Sequence, residues 1–369
     1  MLTAGLLVSG LVGGACRPKA SQSLVAEAPG RREDDRLPAL VALAAPEQHR
    51  VLRGDWESPS TLLVAYEGAW SQVLADLVSV AKQRVSVVVL LKPADANTQD
   101  VRQWLELLDV RSLEYDFDTP WVRDYGPFEL LDEQGARLWL DMEYSTERPS
   151  DDLLPQALSH AAGMPVERPG VELDGGGVIS NGEGHCVMTQ ASYFPFAGNV
   201  PAERAGELVD QLGCQILTIT PALPQEPTGH IDMIAQFLAP DVVVVGTVDR
   251  SQYPDDAQVL DRTAELLLEN AEYLNQRMRV IRVPLVVRGD RYYSYVNGTR
   301  LRSGYLVPAY AGVPERVERQ AYRQLRRGLP RHVDLLPVFA DDLVASGGAV
   351  HCVTLGVGDT IATSSAVLE

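Results

Sequence analysis

The sequence predicts an α/β protein whose folded part is a single domain. From residue 60 onward, short β-rich runs alternate with amphipathic stretches, the pattern of strand–helix units. No change of composition divides the chain after residue 37, so we expect one domain over residues 38–369. With 46% hydrophobic residues among 369, the chain can build a sizeable core. It contains neither a G-x-G-x-x-G turn nor a P-loop, so a nucleotide-binding site has no support.

The helices are predicted from apolar residues spaced three and four apart. One apolar stripe begins at Trp70 and ends at Ala81, and another runs from Leu260 to Leu274. The predicted helices cover residues 70–81, 98–109, 151–162, 201–212, 255–277 and 314–327.

The strands are predicted from short runs rich in β-branched and aromatic residues between turn-forming residues. They cover residues 61–66, 85–91, 113–130, 137–142, 171–180, 185–190, 215–220, 230–237, 241–248, 279–287, 292–296, 301–307, 332–337, 349–355 and 359–363.

The net charge of −18 limits the partners of the protein. The chain has 32 Lys and Arg against 50 Asp and Glu. Such a surface repels nucleic acid and anionic lipid headgroups, and it attracts cations such as guanidines and amines. We therefore expect a small cationic substrate and no nucleic-acid partner. The sequence pattern does not indicate an oligomeric state.

The first sixteen residues, MLTAGLLVSGLVGGAC, are typical of an export signal. This apolar run is too short to span a bilayer as a lasting helix. Its end resembles the cleavage site of bacterial lipoproteins, which predicts lipidation of Cys16 and a periplasmic or membrane-anchored protein. Residues 17–37 are polar and charged, as in a flexible tether. The alternative is a cytoplasmic protein with an apolar N-terminus.

Three further cysteines follow Cys16. An odd number leaves at least one of Cys186, Cys214 and Cys352 unpaired, and whether the first two pair is left open.

Cys352 and His230 are the candidate nucleophile and base. Cys352 lies in the β-rich run ASGGAVHCVTLGVGD, and His230 and Asp232 lie two positions apart in TGHIDMIAQF. On a strand, residues two apart share one face, whereas the adjacent His351 and Cys352 face opposite ways. We therefore expect the base for Cys352 to be His230. The structural alternatives are a core cysteine and a His–Asp hydrogen bond under a loop.

Two more segments carry polar residues in unusual surroundings. Asp124 lies in TPWVRDYGPFEL beside Trp121, where a packed carboxylate needs a cationic partner. Asn297 lies in a predicted turn between strands. The three glycines 175–177 lack the following helix of a phosphate site, so we expect close backbone packing beneath a site.

A thiol, an imidazole and two carboxylates suit attack on a guanidinium carbon. The planar cation matches carboxylate oxygens two at a time, and its charge favours the thiolate of Cys352. His230 can donate a proton to departing ammonia and later accept one from water.

The chain from about residue 40 to its C-terminus resembles the agmatine deiminase and bacterial-type peptidylarginine deiminase family. The motifs WVRDYGP, GGGVISNGEG, TGHIDMIAQF, SYVNG and GGAVHC occur in the family's order. The resemblance implies a five-bladed α/β propeller of ββαβ units, the pentein fold. It also implies that Cys352 is the nucleophile, that His230 is the general acid and base, and that Asp124 and Asp232 bind the guanidinium. Asn297 is similar to a supporting asparagine and Trp121 to a substrate-binding residue, and neither a metal nor a cofactor is implied.

The residues that would select the substrate favour arginine or peptidyl-arginine. The segment LDMEYSTERPSDD is similar to one that supplies arginines for the substrate's α-carboxylate in the peptidylarginine branch. Arg148 matches one of these, and Thr146 occupies the position of the other, so Arg300 or Arg302 could contribute. The structural alternative pairs Arg148 with Asp151 or Asp152.

Three other functions stay open from the sequence. They are agmatine deimination to N-carbamoylputrescine, amidino transfer, and non-catalytic guanidine binding by a lipoprotein.

Overall fold

A computed structural model describes residues 40–42, 50–93, 97–193, 208–358, 361 and 368, all within one compact unit, Pro38–Glu369. The predicted signal segment with Cys16, the whole of the tether, the first part of the helix at 201–212 and nearly all of the strand at 359–363 lie outside the described residues.

The described strands form five small sheets. The strands are given in their order across each sheet. Sheet 1 contains Thr354–Val357, Thr61–Tyr66, Ser86–Leu91 and Arg111–Glu114, and sheet 2 contains Arg50–Leu52, Phe128–Asp132, Arg137–Leu140 and Val166–Glu167.

Sheet 3 contains Leu40–Ala42, Ile216–Thr220, His185–Thr189 and Val178–Ser180, and sheet 4 contains Ala235–Ala239, Val242–Thr247, Arg279–Arg288 and Arg291–Ser294. Sheet 5 contains Thr299–Arg300, Gly304–Ala309 and Asp334–Phe339.

The described helices connect these strands. They are Ser71–Ala81, Thr98–Leu107, Val122–Tyr125, Pro149–Ala162, Gln190–Tyr193, Pro254–Tyr273, Glu315–Gly328 and Asp341–Ala345.

Each sheet repeats one connection pattern. A first strand pairs antiparallel with a second, and a crossover leads from the second to a third strand that pairs parallel with it. A parallel pair needs such a crossover, and in four sheets it contains a helix of 11 to 20 residues. Residues 208–212 are helical in the crossover of sheet 3. The five-bladed propeller of ββαβ units is thus confirmed.

Strands such as Thr61–Tyr66 and Ile216–Thr220 are buried on both faces, which explains their runs of apolar residues. Val242–Thr247 is buried at its first five positions, and Ser71–Ala81 buries Val73, Leu74, Leu77, Val78 and Ala81, the stripe expected from the sequence.

Sheet 1 joins distant parts of the chain. Its first strand, Thr354–Val357, pairs antiparallel with Thr61–Tyr66, so the last described strand completes the sheet that the early strands begin. The turn before this closing strand carries Cys352.

Cys186 and Cys214 form a disulfide inside sheet 3. Their Cα atoms are 5.8 Å apart, a normal disulfide span, and both side chains are fully buried. Among the described residues, Cys352 is then the one free cysteine. No helix in the described part of the chain combines the length and apolar character needed to cross a membrane.

Candidate active site

The polar residues singled out from the sequence come together because they occupy equivalent places in the fold. Each of them lies two to five residues before a strand that pairs antiparallel in a different sheet. Asp124 precedes Phe128–Asp132, His230 and Asp232 precede Ala235–Ala239, Asn297 precedes Thr299–Arg300, and Cys352 precedes Thr354–Val357. The glycines 175–177 directly precede Val178–Ser180 of sheet 3. Five turns therefore supply one site.

The structure corrects the local geometry that we predicted for His230 and Asp232. They do not share a strand face, because Ile231–Met233 forms a 3-10 turn and the strand begins only at Ala235. The turn places both side chains at the site while Asp232 is completely buried. Cys352 likewise lies in a turn, two residues before the strand that we expected to contain it.

Cys352 is held among polar partners although it is only 6% exposed. Asn297 Nδ2 donates to Cys352 Sγ over 3.4 Å and to the carbonyl of Asp232 over 3.3 Å. The sulfur lies 3.9 Å from Asp232 Oδ2. Asn297 therefore ties the turn of the thiol to the turn of the carboxylate.

Asp232 has one bound and one unbound oxygen. Its Oδ2 accepts a hydrogen bond from His351 Nδ1 over 2.8 Å. Its Oδ1 is buried and accepts no hydrogen bond among the described residues. A buried carboxylate oxygen without a donor is costly, so this atom is suited to receive a donor from a substrate.

His230 lies between two carboxylates. Its Nδ1 is 3.6 Å from Asp124 Oδ1, and its Nε2 donates to Asp174 Oδ2 over 3.1 Å. Asp124 Oδ1 also accepts a hydrogen bond from the backbone N–H of Gly176 over 3.1 Å. Both ring nitrogens thus face an acidic oxygen, which favours the imidazolium.

The glycine run allows these groups to approach one another. A Cβ atom at position 176 would lie 2.6 Å from His230 Nδ1, 2.7 Å from Asp124 Oδ1 and 3.2 Å from Asp232 Oδ2. At Gly175 a Cβ atom would collide with the backbone carbonyl of Arg123. The close backbone packing expected at residues 175–177 is present.

The electrostatics of the unliganded site oppose a thiolate. Burial, followed by the charges of Asp232 and Asp124, raises the pKa of Cys352 well above its ordinary value. Burial lowers the pKa of His230, but Asp124, the hydrogen bond to Asp174 and the charge of Asp232 outweigh it and raise the pKa to about 10. Burial raises the pKa of Asp124, and the charge of His230 opposes that rise. Without a bound cation, the site therefore holds a neutral thiol and an imidazolium.

Arg123 and Trp121 flank the turn of Cys352. The backbone N–H of Arg123 donates to the Cys352 carbonyl over 3.2 Å, and its Nε donates to the Thr354 carbonyl over 3.1 Å. The ring of Trp121 packs so closely on Gly348 that a Cβ atom there would lie 2.5 Å from it. The WVRDYGP segment thus holds the turn of Cys352 as well as supplying Asp124.

His230 and Arg148 line one cavity. It is lined also by Tyr144, Glu172 and Asp174, and Arg148 is the only arginine or lysine among the described residues that line it. Arg148 Nη1 donates to the hydroxyl of Tyr144 over 2.6 Å, and its guanidinium lies 5.7 Å from the centre of that ring.

The structural alternative for Arg148 is wrong. Asp151 accepts hydrogen bonds from the backbone and hydroxyl of Thr119, and Asp152 pairs with Arg168. Arg148 makes no ion pair within 4 Å among the described residues. Arg300 is buried elsewhere, where it donates to the carbonyl of Gly304 over 3.0 Å, and Arg302 does not line this cavity.

Sequence reasoning missed three residues of the site. They are Asp174, His351 and Arg123, which holds the turn of Cys352 through two hydrogen bonds. Asp174 could have been found from its position directly before three glycines. Glycines have no side chain, so polar side chains from other turns can approach the backbone there, and a neighbouring carboxylate is then close to them. His351 was set aside as facing away from the thiol, and its partner is instead Asp232.

The described residues contain no cluster of three or more His, Cys, Asp or Glu side chains that could hold a metal ion.

Comparison with known proteins identifies the family. Residues 46–357 match the Porphyromonas-type peptidyl-arginine deiminase family. The chain is 24% identical to an agmatine deiminase of Stutzerimonas stutzeri over 285 residues, which cover 66% of this chain and 76% of that protein.

Solved structures share the fold. An agmatine deiminase of Enterococcus faecalis superposes with a TM-score of 0.74 at 18% identity, over 84% of this chain and 96% of that one. A C. jejuni agmatine deiminase superposes with a TM-score of 0.72 at 16% identity, over 86% and 99%. The family match covers most of the chain, and so this protein belongs to the Porphyromonas-type peptidyl-arginine deiminase family and is a deiminase of guanidine groups.

Proposed function

We propose that the protein deiminates free arginine or a C-terminal peptidyl-arginine to citrulline, releasing ammonia. The observation that carries this choice is the position of Arg148. Arg148 lines the same cavity as His230, and its guanidinium has no carboxylate within 4 Å among the described residues. An α-carboxylate of the substrate would supply the missing anion through a charged hydrogen bond.

In the first half of the reaction, the substrate guanidinium enters between Asp124 and Asp232. Its positive charge offsets the two carboxylates that raise the pKa of Cys352, so the thiol loses its proton to solvent more readily while His230 stays protonated. The thiolate forms a C–S bond to the guanidinium carbon. The C–N bond to one amino group then breaks, and His230 donates a proton to the departing ammonia.

In the second half, water replaces ammonia beside the covalent thiouronium. The neutral His230 accepts a proton from water, and the hydroxide forms a C–O bond to the same carbon. The C–S bond breaks, and the proton of the new hydroxyl passes to the departing sulfur, which returns the thiol and releases the neutral ureido product. Asp174 holds the Nε2 side of the ring throughout, so Nδ1 is the nitrogen that exchanges the proton.

Arg148→Ala is expected to reduce kcat/KM for a peptide ending in arginine by roughly 30- to 1000-fold, about 2–4 kcal/mol. The amidated peptide lacks the carboxylate and should change little, and agmatine should be turned over no worse because a repelling cation is gone. Rates of ureido formation with all three substrates test this.

Two control variants accompany Arg148→Ala. Arg148→Lys keeps the charge without the planar fork and should retain part of the activity. Arg302→Ala removes an exposed arginine outside the cavity and should have no effect. Equal losses of activity toward all three substrates in Arg148→Ala would reject Arg148 as the group that binds the carboxylate.

Agmatine is the second candidate substrate, and Glu172 favours it. Glu172 lines the same cavity, and a backbone bridge places Glu143 beside it. Burial, followed by the charges of Asp174 and Glu143, raises the pKa of Glu172. These carboxylates would attract the primary ammonium of agmatine or the α-ammonium of free arginine. Preferred turnover of agmatine over arginine would select this function.

We also propose that the protein is exported and anchored to a membrane through lipidated Cys16. The Cys186–Cys214 disulfide supports export, because disulfides persist mainly in oxidising compartments. In cell fractions, we expect the parent protein with the membranes and Cys16→Ser in the soluble exported fraction. Recovery of both proteins from the cytosol, with Cys186 and Cys214 alkylated as free thiols, would contradict export.

A further inference from the structure

His351 is a buried histidine that the mechanism above does not use. It is only 3% exposed and directly precedes Cys352 in the chain. Its imidazole contacts neither the thiol nor His230 among the hydrogen bonds of the described residues. A buried polar ring beside a nucleophile requires a reason, since burial of an imidazole costs free energy unless it is hydrogen-bonded.

The contact that the ring makes is with the carboxylate of Asp232. His351 Nδ1 lies 2.8 Å from Asp232 Oδ2, and Asp232 Oδ1 has no donor among the described residues. The backbone N–H of His351 donates to Asn297 Oδ1 over 2.9 Å. The main chain of His351 is therefore fixed by the same asparagine that contacts the sulfur, and its ring fixes the orientation of the carboxylate.

The ring makes this contact as a neutral donor. Burial and the charge of Arg123 lower the pKa of His351 to about 4, although Asp232 opposes them. An ionised carboxylate only accepts hydrogen bonds, so the proton of the neutral ring is on Nδ1. A neutral donor orients Asp232 and leaves its negative charge in place. A lysine or arginine at this position would instead compete with the substrate cation for the charge of Asp232.

A second cavity is lined by His351, and it shares no lining residue with the cavity of His230 and Arg148. Its charged lining residues are three arginines and three carboxylates, namely Arg53, Arg123, Arg300, Asp55, Glu57 and Glu129. His351 is therefore the residue that both lines this second cavity and holds Asp232. The charge of Arg123 also acts on Asp232.

We propose that His351 is a positioning residue, whose Nδ1 holds Asp232 through Oδ2 and so fixes this carboxylate beside Cys352, where it binds the substrate guanidinium. His351 would have this role for any guanidine substrate, because it affects how strongly the site binds a cation next to Cys352.

The test compares two reagents that alkylate Cys352. A haloacetamidine is a planar cation that resembles guanidinium, and a haloacetamide is its neutral counterpart. The ratio of the two inactivation rate constants reports how well the carboxylates hold a cation, because changes in thiol reactivity affect both reagents. We expect His351→Leu to lower this ratio by about tenfold to a hundredfold, as small displacements of catalytic groups do.

Two further variants separate positioning from general structural damage. In His351→Asn the amide N–H takes the place of Nδ1–H, so the ratio should return to within about threefold of the parent value. In His351→Gln the amide lies one methylene further out, so the ratio should stay as low as in His351→Leu. Thermal melting of each variant monitors folding, and if His351→Leu fails to fold, the comparison of Asn with Gln gives the answer.

The outcomes decide for or against the proposal. A ratio in His351→Leu or His351→Gln equal to the parent's would show that Asp232 is positioned without His351. A ratio equally low in the folded Asn and Gln variants would overturn the role of the Nδ1 donor. Recovery in His351→Asn alone supports it.

Discussion

Cys352→Ser is expected to abolish ureido product formation while the protein stays folded. Serine fits the space of the thiol, but its hydroxyl is far less acidic and does not supply an anion near neutral pH. The loss should be about 10⁴-fold or more, as for removal of a catalytic nucleophile. Assays of citrulline and ammonia measure it, and thermal melting checks the fold.

The disulfide supplies the matched control for this variant. Cys186→Ser combined with Cys214→Ser removes two sulfur atoms from sheet 3, outside the site, so it should lower thermal stability without removing the chemistry. Mass spectrometry of Cys352 during turnover should detect the covalent adduct in the parent and in this control, but not in Cys352→Ser. Activity of Cys352→Ser within tenfold of the parent would eliminate the covalent mechanism.

Asp232→Asn is expected to change two measurements in opposite directions. Binding of substrate to the Cys352→Ser protein should weaken by about 3–5 kcal/mol, because a buried carboxylate that faces the cation has lost its charge. In the protein with Cys352 intact, alkylation by a neutral haloacetamide near pH 8 should become faster. Asp232 is the largest charge that raises the pKa of this thiol, so its removal lowers that pKa and increases the thiolate fraction.

Two other aspartates complete this experiment. Asp124→Asn should weaken substrate binding similarly, and it should also lower the pKa of His230, which Asp124 raises. Asp141→Asn is a matched control, since Asp141 is equally buried but pairs with Arg168 away from the site. Calorimetry and alkylation rates measure both effects. Unchanged affinity in Asp232→Asn would place its carboxylate outside the guanidinium site.

The fold could be predicted from the sequence because its repeating unit is short and strongly patterned. The stripe from Trp70 to Ala81 and the apolar run at 241–248 each correspond to an observed element. Element ends were less predictable. The run at 230–237 has strand composition throughout, yet its first half is a turn, because the site requires both His230 and Asp232 to face one centre.

The candidate site could be predicted in its residue types but only partly in its contacts. Cys352, His230, Asp124, Asp232 and Asn297 lie in separate motifs, and the structure brings them together. Contacts between different sheets leave no local pattern. The bond from His351 to Asp232 joins residues more than a hundred positions apart, so sequence spacing could not indicate it.

The closing strand of sheet 1 has a consequence for the time at which activity appears. Asp124, His230 and Asp232 belong to turns that are synthesised before the strand Thr354–Val357. Cys352 reaches Asn297 and Asp232 only when that strand docks on Thr61–Tyr66. In a chain whose strand Thr354–Val357 has not docked, the proposed nucleophile Cys352 would be absent from its place beside Asn297 and Asp232. We therefore expect activity to require the docked strand, so that activity would report its docking.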